Sequence, residues 1–217
     1  MRVKWLGHAA FVITAEDGTR IITDPYEPGA YGLRYGRIEE AADVVVLSHK
    51  QHEDHNYAEA VKGSPQLVTG SGSQKAKGIE FKGVSSFHDT SSGKQRGPNT
   101  IFCFTVDGIT VCHLGDLGHQ LSEDQVAQIG QVDILLVPTG GGPTIDPAGA
   151  TQVCEKIKPR VVIPMHYKTD KCAFPTSGVD EFLKGKSGVK RLDSSEVELR
   201  LERLPEATEI MVLKHAL

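Results

Sequence analysis

The sequence lacks most of the features that decide a protein's class on sight. Its four cysteines, Cys103, Cys112, Cys154 and Cys172, form no Cys-x-x-Cys pair, so neither a zinc ribbon nor a dense disulfide framework fits. They read as buried, reduced thiols of a cytoplasmic protein. No apolar run approaches the roughly 20 residues of a membrane-spanning helix, and no membrane partner is expected. The start, MRVKWLGHAAFVIT, has no apolar core followed by a small-residue cleavage site, so no secretory signal is expected. A basic excess is missing as well. With 24 Lys and Arg against 28 Asp and Glu, the net charge is −4, which disfavours nucleic acid because phosphate binding ordinarily leaves a basic footprint. The G-x-x-x-x-G-K phosphate loop is absent, and Gly140-Gly141-Gly142 does not replace it. Low-complexity tracts, short-period repeats and long linkers are lacking too.

What remains is an ordinary globular composition, 39% apolar and 24% charged. The length of 217 residues suits one domain, 1–217. The first half reads as short strands at Arg2 to Leu6, Ala10 to Thr14, Thr19 to Thr23, Asp43 to Leu47, Gln66 to Thr69, Ile79 to Phe87, Asn99 to Val106 and Ile109 to His113. Glu16-Asp17-Gly18 and Asp107-Gly108 supply hairpin turns. A short helix is expected at Tyr57 to Val61. The second half alternates helix and strand. Helices are expected at Ser122 to Ile129, capped by Ser122, at Pro147 to Ile157, capped by Asp146, and at Val179 to Lys184. Strands are expected at Asp133 to Val137, Arg160 to Pro164, Glu196 to Leu201 and Glu209 to Lys214. The pattern points to an α+β protein of two sheets packed face to face with helices outside.

The histidines carry the chemistry. His49, His52 and His55 fall within seven residues directly after the DVVVL strand, in Ser48-His49-Lys50-Gln51-His52-Glu53-Asp54-His55. Imidazole and carboxylate bind zinc and similar ions. A strand end that turns back can converge several such groups, which a plain polar surface loop has no reason to gather.

With its neighbours in order, this run resembles the metallo-β-lactamase superfamily, whose signature here is His-x-His-x-Asp-His. The resemblance rests also on Gly7-His8-Ala9-Ala10-Phe11, Asp24-Pro25, Phe87-His88-Asp89, His113-Leu114-Gly115-Asp116, Pro138 to Asp146 (PTGGGPTID) and Pro164-Met165-His166-Tyr167. It looks like the branch of ascorbate-6-phosphate lactonases and related zinc-dependent hydrolases. That resemblance implies a four-layer αβ/βα sandwich of two mixed sheets. It also implies one metal on His49, His52 and His88, a second on Asp54, His55 and His166, and Asp116 bridging the two. Asp24 would orient a ligand histidine without binding metal itself. Zinc is the default ion, with manganese, iron or nickel as alternatives.

One departure stands out. The family places a single residue between its first two histidines, whereas Lys50 and Gln51 both separate His49 from His52. Three readings follow. The loop bulges and His49 still reaches the metal; the first site is weak or empty; or Lys50 is the ligand, which requires a large pKa depression beside two dications.

A site of this kind makes a hydroxide from bound water near neutral pH and stabilises a developing oxyanion. Asp54 and Asp116 are its expected catalytic carboxylates. The expected substrate is a small molecule, a lactone, ester or phosphate-bearing metabolite, with an anionic group read by Arg96 or Lys168. His8 and His119 are further candidates for substrate contact. A phosphodiesterase or nuclease is the alternative enzyme, and a metal-poor binding domain the non-enzymatic one. Self-association into a homo-oligomer is expected from the related lactonases.

Overall fold

The computed structural model describes all 217 residues. In chain order the strands are β1 (Arg2–Gly7), β2 (Ala10–Thr14), β3 (Arg20–Thr23), β4 (Val44–Leu47), β5 (Gln66–Thr69), β6 (Gly72–Ala76) and β7 (Ile79–Phe87). They continue as β8 (Pro98–Val106), β9 (Ile109–His113), β10 (Ile134–Pro138), β11 (Val161–Met165), β12 (Val189–Arg191), β13 (Glu196–Glu198) and β14 (Glu209–Val212). The helices are α1 (Glu123–Ile129), α2 (Pro147–Ile157) and α3 (Val179–Leu183).

These strands build two mixed sheets. One has six strands in the order β13-β1-β2-β3-β4-β5, and the other eight in the order β12-β14-β11-β10-β9-β8-β7-β6. The period of two along each strand decides what lies between them. Val3, Trp5, Phe11, Ile13, Ile21, Val44 and Val46 enter the large core shared with the second sheet. The alternate residues Leu6, Ala10, Val12, Ile22, Val45 and Leu47 enter a smaller core on the outer face. The strand ILLVP of β10 and the strand VVIPM of β11 are buried at every position, as parallel strands covered on both faces should be.

Helices cover only one side. Helix α2 lies on β10 and against α3, while α1 sits against β7. The Ser122 side chain accepts from Gln125 N–H and Gln125 returns the bond, a capping box; Asp146 caps α2 ahead of Pro147. The outer face of the six-stranded sheet is covered instead by irregular chain carrying Tyr26, Leu33, Tyr35 and Ile38. Pro25, Pro28, Gly29, Gly32 and Gly36 break that segment too often for a helix.

Several local expectations are corrected. Tyr57 to Val61 forms only the 3-10 turn Ala58–Ala60, after which Val61 is extended. The C-terminal strand stops at Glu198, and Leu201–Arg203 makes a 3-10 turn. Strands β6 and β12 were not expected from the sequence. Both are edge strands whose residues are largely exposed and polar, so no apolar alternation marks them.

Strand direction positions the site. Strands β1, β3 and β4 run parallel within the first sheet, and β7, β9, β10 and β11 within the second. His8 follows β1, Asp24 follows β3, and His49 to His55 follow β4; His88, Asp116 and His166 follow β7, β9 and β11. The main chain joins the two sheets at this rim. His166 N–H donates to His8 O at 3.2 Å, and Thr100 N–H donates to Ser48 O at 2.8 Å.

Candidate metal centre

The chain after β4 is fixed before its first histidine. Asp24 Oδ1 accepts Ser48 N–H at 2.7 Å, and Ser48 Oγ lies 3.0 Å from His49 Nδ1. His49 therefore presents Nε2. The two intervening residues turn outward: Lys50 and Gln51 are exposed, and Asn56 Nδ2 donates to Lys50 O at 2.7 Å across the bend. With that residue pair looped out, the ligand atoms of His49, His52 and His88 all lie within 4.8 Å of one another. The extra residue is absorbed by the bend, and Lys50 stands outside the cluster.

Asp116 sits between two groups of histidines. Its Oδ2 is 3.0 Å from His88 Nε2, while its Oδ1 is 2.9 Å from His55 Nε2 and 3.4 Å from His166 Nε2. Its backbone is held by Asn99, whose Oδ1 accepts Asp116 N–H at 3.0 Å while Nδ2 donates to Leu114 O at 3.0 Å. Asp54 flanks His55, with Oδ1 3.2 Å from His55 Nδ1 and Oδ2 3.4 Å from His8 Nε2. Ligand atoms of His49, Asp54 and His55 lie within 4.8 Å of one another, as do those of His8, His55 and His166.

The donor atoms are buried and unpaired. His49 Nε2, His52 Nε2, Asp54 Oδ1 and Asp116 Oδ1 have no hydrogen-bond partner, nor does either ring nitrogen of His55, His88 or His166. The short approaches to Asp116 are thus contacts without hydrogen-bond direction. Unpaired buried polar atoms cost about 1–3 kcal/mol each, a penalty that a cation on which they converge removes. Charge points the same way. Burial pushes His49 down to about 4 and His166 to about 3, leaving neutral imidazoles with free lone pairs. Burial opposes charge on His55 also, but the Asp116 and Asp54 carboxylates outweigh it and raise the group well above its ordinary value. Asp116 is shifted in the opposite sense, its burial overcome by His55, His166 and His88, which hold it ionised. The site demands positive charge at its centre, and the residues present fit a divalent metal.

The sequence profile of the beta-lactamase superfamily domain matches residues 2–166. A UPF0173 metal-dependent hydrolase of Pelotomaculum thermopropionicum is 30% identical over 92% of this chain and 96% of its own length. One from Carboxydothermus hydrogenoformans is 31% identical over 78% of this chain and 85% of its own. The chain belongs to the UPF0173 metal-dependent hydrolases of the metallo-β-lactamase superfamily. The crystal structure of a presumed zinc-dependent hydrolase of that superfamily from Thermotoga maritima superposes with a TM-score of 0.81 at 37% identity, covering 98% of this chain and 97% of that one.

In this UPF0173 hydrolase a cavity of about 350 Å³ opens on the cluster, lined by His52, Asp54, His88 and Asp116 at its base. Arg96, Tyr31, Phe174 and the prolines Pro143 and Pro175 make the walls. Of the expected substrate contacts, Arg96 alone lines it. His8 does not line the cavity but belongs to the cluster itself: its Nε2 is buried and unpaired beside His55 and His166, its ring centroid 4.1 Å from that of His166. His119 faces away and accepts Phe87 N–H at 3.1 Å through Nε2. Lys168 is exposed and outside the lining. Asp24 was expected to orient a ligand histidine. Instead its Oδ2 meets His113 Nε2 at 2.6 Å, so it braces the end of β9 and the Ser48 backbone rather than an imidazole of the cluster. Tyr31, Phe174 and Pro175 were not foreseen, because they come from irregular segments with no motif of their own; Pro143 lies within the PTGGGPTID run but was not singled out as a cavity residue.

Proposed function

We propose that this metal-dependent hydrolase uses zinc, on His49, His52 and His88 and on Asp54, His55 and His166 with Asp116 shared, to open a small-molecule lactone or ester or to hydrolyse a phosphate-bearing metabolite. The observation that carries the reading is Asp116, whose two oxygens face His88 on one side and His55 and His166 on the other. A divalent ion bound there supplies an acidified water and a Lewis acid for the oxygen on which charge develops.

The chain's own residues supply the rest. Asp54 and Asp116 are the catalytic carboxylates. Burial opposes the charge on Asp54, but His55 and His8 beside it hold the carboxyl well below the ordinary carboxylate range, so it stands ionised at the base of the cavity. His49, fixed through Ser48 Oγ, keeps Nε2 directed at the cluster. Tyr31 stays in the cavity wall because its hydroxyl is held 2.9 Å from Glu53 Oε2. The cavity's volume of about 350 Å³ favours a metabolite over a polymer, being at the small end for ligand pockets. The likeness of the ordered motifs to ascorbate-6-phosphate lactonases favours lactone chemistry.

The test is reconstitution with zinc or manganese, metal counting, and assay of a γ-lactone, a 4-nitrophenyl ester and bis(4-nitrophenyl) phosphate. Turnover of the lactone or ester by protein loaded with one or two ions is expected. Turnover confined to the phosphodiester would replace this reading with a phosphodiesterase. Less than about half an equivalent of metal on folded protein would replace it with a binding domain.

A further inference from the structure

Between His88 and Pro98 the sequence singles out only Asp89, within the Phe87-His88-Asp89 run, and Arg96. The construction of this loop is more specific. The Asp89 carboxylate is buried and turned into the loop. Oδ1 accepts Ser91 N–H at 2.7 Å and Gly93 N–H at 3.0 Å; Oδ2 accepts Gln95 N–H at 3.0 Å and Arg96 N–H at 2.8 Å. Gly97 N–H donates to Gly93 O at 3.0 Å, and His88 N–H donates to Gly97 O at 3.1 Å, so the loop closes on the residue at the foot of the cavity. One side chain thus satisfies four main-chain donors, an arrangement that makes a short polar loop stiff.

That stiffness delivers one side chain to the cavity. Arg96 lines it together with His52, Asp54, His88 and Asp116. Elsewhere Arg2, Arg20, Arg191 and Arg200 each pair with a carboxylate. The Arg96 guanidinium has no acceptor in the protein, and neither Asp54 nor Asp116 comes within ion-pair distance of it. No lysine lines the same cavity. Five planar donors therefore stand free beside the reacting centre, a fork that matches a carboxylate or phosphate better than any neutral group. The wall made by Phe174, Pro143 and Pro175 offers no competing donor side chain.

We propose that Asp89 to Gly97 is a preformed anion-reading loop, in which Arg96 binds an oxyanion on the ligand and Asp89 is the positioning residue that fixes where the guanidinium stands. The inference rests on the hydrolase reading for its substrate: the molecule hydrolysed carries a carboxylate or phosphate a few ångströms from the bond that breaks. Asp89 touches no ligand. It acts through the main chain of Arg96, and its effect on anion affinity exists only while the guanidinium is present.

The decisive measurement is a double-mutant cycle on the metal-loaded protein, with dissociation constants taken by calorimetry. The probes are glutarate, inorganic phosphate and, as the uncharged control, 1,5-pentanediol. Arg96→Ala is expected to weaken at least one of the two anions about 10-fold or more, the loss of a charge-assisted bond, and to leave the diol unchanged. The anion that loses more identifies the class of oxyanion. Asp89→Ala is expected to weaken the same anion about 3- to 10-fold at unchanged metal content, with faster amide exchange at Ser91, Gly93, Gln95 and Arg96. In the Arg96→Ala background, Asp89→Ala should change nothing further. If neither anion binds the wild type, or Arg96→Ala shifts neither by as much as about 2-fold, the anion site is overturned. Additive losses in the double variant would overturn the positioning role. Failure of the hydrolase reading is distinguishable, because it shows as no turnover in the same preparation while the binding constants are still measured.

Discussion

Asp116 Oδ1 lies 2.9 Å from His55 Nε2, both groups fully enclosed, without the direction of a hydrogen bond. Two such groups stay side by side only if something else answers both. Asp116→Asn keeps the shape and removes the negative charge that His55, His88 and His166 face. Metal affinity should fall by at least about 100-fold, the upper range for groups that merely support a ligand. Hydrolysis should fall with it, while the metal-free chain keeps its fold. Equilibrium dialysis with zinc, alongside circular dichroism, checks this. Unchanged affinity would remove Asp116 from the centre.

Gly115 delivers that aspartate and has no room for a side chain. Its φ is +55°, and a Cβ there would stand 2.3 Å from Ser48 Cβ and 2.6 Å from Asn99 Oδ1. Gly115→Ala must therefore displace Ser48, which precedes His49, and Asn99, which holds Asp116. Left-handed strain and overpacking together should cost about 2–4 kcal/mol of stability. Metal affinity should drop as well, because both ligand-bearing turns move. Denaturant midpoints and metal titration measure the two effects separately.

The sandwich was legible because its central strands announce themselves. DVVVL, DILLV and the alternating β1 to β3 carry apolar residues at the period that two covered faces require. Strands β6 and β12 were hidden because an edge strand needs no apolar face; GSQKA and VKR are held by backbone pairing to β7 and β14. At the site, ligand types and their order pointed to the histidines and aspartates that the fold brings together. The insertion at Lys50 and Gln51 could not be read from spacing, since a bend makes three-apart histidines neighbours only in three dimensions. The cavity walls were out of reach for a different reason. Tyr31 and Phe174 meet at a ring-centroid distance of 6.4 Å across irregular chain, and no local pattern records such a meeting. Asp89 was visible as part of a motif, but its four donors become apparent only once the loop is closed.

Away from the centre, Glu40 links two strands of the first sheet to the loop over it. Its Oε1 is 2.7 Å from Lys4 Nζ, and Oε2 pairs with Arg20. The Lys4 ammonium, against partial burial and with help from Arg20, lowers the carboxyl below its ordinary 4.5. A depressed carboxylate contributes stability that is present above its unfolded value and is lost as the pH falls through the folded one. Acidification from pH 5 to 3 should therefore erode this contribution. Glu40→Gln should cost about 0.5–1 kcal/mol at pH 7 and much less at pH 3. Urea midpoints for wild type and variant at the two pH values decide it; a pH-independent difference would mean that the charge is not what matters.

Metal should hold the two sheets together as well as equip the site. His49, Asp54 and His55 come from the first sheet, whereas His88, Asp116 and His166 come from the second. An ion that joins these groups binds the folded chain far better than the unfolded one, because the unfolded chain does not gather them. Stability should then rise as RT ln(1 + [metal]/Kd), about 4 kcal/mol at 1,000 times Kd. For a chain of this size each kcal/mol moves Tm by about 2–4 °C. Chelated protein titrated with zinc should show Tm climbing with the logarithm of free metal, and Asp116→Asn should flatten the climb. A Tm that ignores zinc in the wild type would mean that the two halves of the rim are joined by protein contacts alone.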